Sequence, residues 1–117
     1  MGSYLLILFF LLLCGMKKAN AQSPCGDKLC VVQFNAGWNE ANEVKWISKL
    51  TDCSTKLILI DKGDWQKKYG IVVVPTVVIF NEGEEVKRYQ ADISFTLPAT
   101  QKDVQDKIDE IILESSY

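Results

Sequence analysis

The feature that most constrains this chain is a pair of strand-like apolar runs separated by a stretch with helical spacing. Residues 30–36 (CVVQFNA) and 56–61 (KLILID) are rich in Val, Ile, Leu and Phe, as strands buried inside a sheet are. Between them, Ala41, Val44, Ile47 and Leu50 fall three apart and share one face of a helix. Asn39 stands ahead of that face as an N-cap candidate. A strand, a helix and a strand in this order make a parallel pair with a right-handed crossover.

The rest of the chain adds to that unit. Residues 64–69 predict a short helix stopped by Gly70. Pro75 leads into a third strand over residues 76–81 (TVVIFN), and Glu82-Gly83 turns the chain into a more polar edge strand over residues 84–90. Thr100 caps a last helix whose apolar positions, Val104, Ile108, Ile111 and Ile112, fall on one face. The expectation is an α/β domain over residues 30–117, a four-stranded mixed sheet with helices on both faces.

Residues 4–16 are uncharged and mostly Leu, Ile and Phe. The run is short of the ~20 apolar residues of a membrane span. It suits the apolar core of an export signal over residues 1–21, with Ala19-Asn20-Ala21 as the cleavage site and residues 22–29 (QSPCGDKL) as a leader. Two alternatives stay open. No Lys or Arg precedes the run while Lys17 and Lys18 follow it, the charge order of a retained anchor, and membrane contact is expected only in that case. Cys14 is a lipidation candidate, although Leu13 before it is large. Cleavage removes two lysines and no acid, so 13 basic residues become 11 against 15 acidic, and the charge goes from -2 to -4. The expected location is periplasmic or secreted, where disulfides persist.

Composition excludes several chemistries. The chain has no histidine, which removes Ser-His and Cys-His nucleophile pairs and every His-containing zinc site. Its four cysteines do not form two close pairs, so neither a metal nor another cofactor is expected. An acidic balance offers no basic surface for nucleic acid.

Three segments carry a family resemblance. VVQFNAGW (residues 31–38) places Phe34, Ala36 and Trp38 where a strand runs into an active-site helix. Tyr69-Gly70-Ile71 is followed by Val74-Pro75-Thr76, and NEGEEVKRY (residues 81–89) reads as a hairpin. In this order they resemble the thioredoxin family, over residues 30–114 and without the family's first strand and helix. The resemblance implies a cis peptide at Pro75 and a peptide-docking groove beside Trp38, Val74 and Pro75, with Val74 pairing its backbone to an extended segment.

The same resemblance places a Cys-x-x-Cys pair directly after Trp38. Here those residues are Asn39-Glu40-Ala41-Asn42. The family's buried acid falls at Gln33, and the lysine facing that acid falls at Leu57. Carboxamides cannot exchange disulfides. The expectation is therefore no catalytic residue at this site, and a redox-inactive module that binds a protein or extended peptide or serves as an accessory subunit, which leans against an enzyme.

The remaining cysteines keep an alternative open. Cys25 and Cys30 are close enough to bridge, which stabilises by roughly 2 kcal/mol in the chain-entropy model. Cys30 and Cys53 open what are read as parallel neighbouring strands, so Cys53 is a further candidate partner for Cys25 or Cys30. The alternative function is a thiol-disulfide oxidoreductase using Cys25 and Cys30. Trp46 and Trp65 read as packing residues, and Asp61, Asp64 and Glu40 as unpaired acids near one sheet end.

Overall fold

In the computed structural model, residues 22–116 are described, and the export-signal, anchor and lipidation expectations for residues 1–21 lie outside them. The chain builds outward from β1 (Cys30–Asn35), whose six residues are all buried. β1 pairs in parallel with β2 (Ser54–Leu59) and antiparallel with β3 (Thr76–Asn81). A hairpin joins β3 to β4 (Glu84–Gln90), and the sheet order is β2-β1-β3-β4. Glu82 and Gly83 make the turn with φ of 54° and 84°. Positive φ at both central residues is the geometry that suits a two-residue hairpin.

Side chains alternate across the sheet, so β1 feeds two cores. Val32 and Phe34 pack on one face with Ile58, Val78, Phe80 and Tyr69. Val31, Val77 and Ile79 pack on the other with Ile47, Val104 and Ile108. Two helices cover these faces: α1 (Trp65–Tyr69) brings Tyr69 to 5.2 Å from Phe34, and α2 (Gln101–Ser115) buries Val104, Ile108 and Ile111. Thr100 caps α2 in a reciprocal capping box with Asp103. Gly70 ends α1 with φ 60°, and Arg88 donates to the Tyr69 and Gly70 carbonyls at 2.7 and 2.9 Å. A cation on the last carbonyls completes the helix end. Among the described residues no helix is long and apolar enough to cross a membrane.

Several expectations need correction. The helix expected over residues 39–50 is two 3-10 helices, Gly37–Asn42 and Lys45–Lys49, with an extended Val44 between them. A 3-10 helix repeats every three residues. The spacing that buries Val44, Ile47 and Leu50 therefore fits it as well as an α-helix, while Ala41 is exposed. Asn39 is not an N-cap; it lies buried inside the first 3-10 helix, and Ala36 holds the cap position. β2 begins two residues earlier than expected and is not buried throughout. Ile58 is its one buried residue, because no strand lies on its outer side among the described residues. Ile112 is 38% exposed at the margin of the α2 face.

The leader is part of the fold. The Ser23 amide donates to the Gly83 carbonyl, the Glu82 amide to the Asp27 carbonyl, and the Tyr69 hydroxyl to the Gln22 carbonyl. Cys25 and Cys30 are bridged, and Cys53 is free and packs against the opposite face of the sheet from Cys30. The expected approach of Cys53 to that pair fails because the sheet stands between them.

Truncating Ile108 to Ala opens a cavity under α2, and removes about 2–5 kcal/mol of stability. Thr100→Ala removes about 1 kcal/mol by deleting the cap. Urea unfolding reads both as a lower midpoint at unchanged slope.

Candidate functional site

The end of β1 opens into a set of loops that meet around Trp38. The Gly37 amide donates to Asp61 Oδ2 at 3.1 Å. A methyl carbon on Gly37 would stand 2.9 Å from that same oxygen, so only glycine permits the bond without moving the carboxylate. Trp38 is thereby carried out of the core, 67% exposed, with its ring edge-on to Phe95 at 5.3 Å. Facing them, residues 72–74 run up to a cis Val74-Pro75 bond. A shallow groove of about 180 Å³ lies between the two sides, with Ile60 in its lining and Asp61 as its one charged residue.

Buried carboxamides hold these loops together. Asn39 Nδ2 donates to Asn35 Oδ1 at 3.1 Å and to the Phe95 carbonyl at 3.3 Å, and reaches the Val74 carbonyl at 3.5 Å. Asn39 Oδ1 accepts from Asn42 Nδ2 at 2.9 Å, and Asn35 Nδ2 donates to the Asn39 carbonyl at 3.2 Å. Strand end, helical turn, proline loop and the segment carrying Phe95 therefore share one side chain. Phe95 itself sits at φ 62°, a left-handed conformation unusual for an aromatic residue. Such residues persist where the surroundings over-determine them, and they gather at binding and active sites.

Gln33 performs a second tie. Its Nε2 donates to the Val44 carbonyl at 3.1 Å and its Oε1 accepts from the Val44 amide at 2.7 Å. Both hydrogen bonds fall on the residue that separates the two 3-10 helices. A carboxylate at this position could accept but not donate, which would leave the buried Val44 carbonyl without its partner. Gln33 thus explains why the segment kinks there.

The structure groups the sequence candidates unevenly. Trp38 and Val74 line the groove, Pro75 follows Val74 across the cis bond with its side chain buried, and Asn39 and Asn42 form the neighbouring carboxamide network. Glu40 and Ala41 face solvent. Cys25 and Cys30 lie at the other end of β1, about 16 Å away at ~3.3 Å per strand residue. Cys30 is fully buried, and no helix N-terminus follows either cysteine. The Cys53 thiol is pushed above the usual thiol range, first by burial and then by the Asp52 carboxylate. No group of three or more metal-ligating side chains forms among the described residues. Phe95, Val72 and Asn35 escaped the sequence reading. They sit in loops or at a strand end, where no periodicity flags them.

This arrangement is a thioredoxin-like α/β fold, and solved thioredoxins share it. A Schistosoma mansoni thioredoxin has 25% identity and a TM-score of 0.53 over 85% of this chain and 88% of its own. One from Nicotiana alata has 26% identity and a TM-score of 0.52 over 72% and 73%. One from Halobacterium salinarum has 24% identity and a TM-score of 0.55 over 73% and 74%. No protein-family model and no curated protein matches the sequence.

Gln33→Glu tests the tie to Val44. At neutral pH the introduced carboxylate costs about 1–3 kcal/mol through desolvation and the unpaired carbonyl. The protonated acid can donate again. Burial raises its folded pKa above the unfolded value, so the lost stability returns in acid and disappears as pH rises through its titration. Urea midpoints of variant and wild type across pH report this as a narrowing gap in acid.

Proposed function

We propose that this protein is an exported thioredoxin-fold binding module, which holds an extended peptide or a segment of a partner protein in the groove between Trp38 and Val74. The observation that carries the reading is the exposed apolar rim of that groove. Trp38 is 67% exposed, Val72 82% and Phe95 41%, with Ile93 on the same loop as Phe95 at 98%. Contiguous exposed apolar surface at a concave site is a recurrent mark of an interaction site. Aromatic anchors such as Trp carry a large share of binding energy in such sites.

The thiol chemistry of the resemblance has no sulfur here. Asn39 and Asn42 occupy the positions, and their carboxamides are spent on the network under the groove. Asp61 at the groove wall is fixed by the Gly37 amide, a single polar contact that can orient a bound segment.

The Cys25–Cys30 disulfide favours a second reading, a thiol-disulfide oxidoreductase. In that reaction the two reduced thiols would pass two electrons to a substrate disulfide, leave as the bridge, and release the substrate as a dithiol. Full burial of Cys30 weighs against it, because exchange needs an accessible thiolate.

Peptides selected from a random library on the wild-type protein separate the two. The binding reading expects apolar extended sequences, whose affinity falls about 30-fold or more in Trp38→Ala, the loss of a typical hot spot. It also expects insulin reduction no faster than the uncatalysed background, unchanged in Cys25→Ser/Cys30→Ser. Insulin reduction that vanishes in that double variant, with peptide binding indifferent to Trp38, would transfer the function to the cysteine pair.

A further inference from the structure

Asp61 is the one charged residue in the lining of the groove, and half of its carboxylate is unused. Oδ2 accepts from the Gly37 amide at 3.1 Å, while no group among the described residues donates to Oδ1. An ionised carboxylate can accept at about four positions. Each of the four ion pairs among the described residues lies elsewhere, so no described lysine or arginine neutralises this charge. Lys62 follows Asp61 directly and is exposed without pairing to it. Lys68 is engaged elsewhere, over the rings of Trp65 and Tyr69 at 5.4 and 5.6 Å from their centroids.

The Gly37 hydrogen bond fixes where the charge stands. Gly37 precedes Trp38, so the carboxylate is tied one residue from an indole that is 67% exposed. Trp38 and Phe95 meet edge to face with their planes 87° apart, so Phe95 covers at most one face of the indole. Ile60, Val72 and Val73 add apolar surface to the same lining. Gln66 also lines the groove, with a side-chain amide that has no hydrogen-bond partner among the described residues.

The occupant has to answer that charge. A wholly apolar segment would cover Asp61 and strip its water without replacing it, which is costly for an ion. An acidic side chain would add repulsion to that cost. A basic side chain meets each part of the surface: its aliphatic stem packs on the apolar lining, and its cation pairs with the carboxylate and lies against the aromatic ring. We infer, on the peptide-binding reading of the groove on which this depends, that the groove selects an extended apolar segment carrying one basic side chain, whose cation pairs with Asp61 beside Trp38. Arginine suits the place better than lysine. Its planar guanidinium stacks on an indole and still has N–H groups for both Asp61 Oδ1 and the Gln66 side-chain carbonyl.

Selection from one random peptide library on the wild-type protein, Asp61→Asn and Trp38→Ala tests this. The carboxamide of Asp61→Asn still accepts from the Gly37 amide, so the variant loses the charge and keeps the loop contact. Wild-type peptides are expected to be apolar and enriched about threefold or more in Arg and Lys over the input library, and Asp61→Asn peptides equally apolar without that enrichment. In a selected peptide, replacing the arginine by citrulline, its neutral isostere, lowers affinity about fivefold for the wild type. The loss is about twofold for Asp61→Asn, where only the aromatic contact remains. Peptides that depend on Trp38 but carry no excess of basic residues overturn the pairing and leave the groove standing. So does a citrulline loss as large in Asp61→Asn as in the wild type. A library that yields no peptide dependent on Trp38 overturns the groove itself, and the pairing with it.

Discussion

Asn39 has almost no solvent exposure, yet its amide group joins four parts of the chain. Burying a carboxamide without partners costs a few kcal/mol, and a single missing bond leaves much of that cost uncompensated. Asn39 is stable there only because Asn35, Asn42, the Phe95 carbonyl and the Val74 carbonyl converge on it. The dependence runs both ways. Without that side chain the segment carrying Phe95 loses its link to the strand end, and the groove loses one wall. Among the described residues no buried side-chain nitrogen or oxygen lacks a partner, so the network is closed.

The two ends of β1 are held by different chemistry. At its start, the Cys25–Cys30 bridge and the leader hydrogen bonds clamp residues 22–29 against the β3–β4 hairpin. At its end, carboxamides stand where the resemblance places sulfur, and the surface above them is aromatic and aliphatic. An amide holds loops in place by donating and accepting at once. The groove is tied together by hydrogen bonds beneath and is apolar above. Gln33 extends the same logic, since a neutral side chain that both donates and accepts can pin Val44 where a carboxylate could not.

Much of the fold was legible because local signals bounded it. Pro75 and the Glu82-Gly83 turn delimit β3, and β4 and α2 begin where their turn and cap residues predict. The misreadings share a cause: a partner distant in sequence decided the outcome. The three-residue spacing at Val44, Ile47 and Leu50 suits either helix type, and Gln33, eleven residues away, decided it. Asn39 looks the same as a cap or as a buried hub, and Phe95 and Asn35 settle which. Strand β2 is apolar enough to be central, but its place at the edge depends on what lies beside it. Of the groove's lining, the resemblance pointed to Trp38 and Val74. Phe95 could not be found, because its loop carries no pattern.

The most direct test of the account is a two-dimensional amide NMR titration with a peptide selected on the wild-type protein. Shifts are expected at the Trp38 indole and at residues 72–74 and 95, with residues 25–30 and Cys53 unmoved. Shifts centred on Cys25 and Cys30, with the Trp38 indole silent, would contradict it.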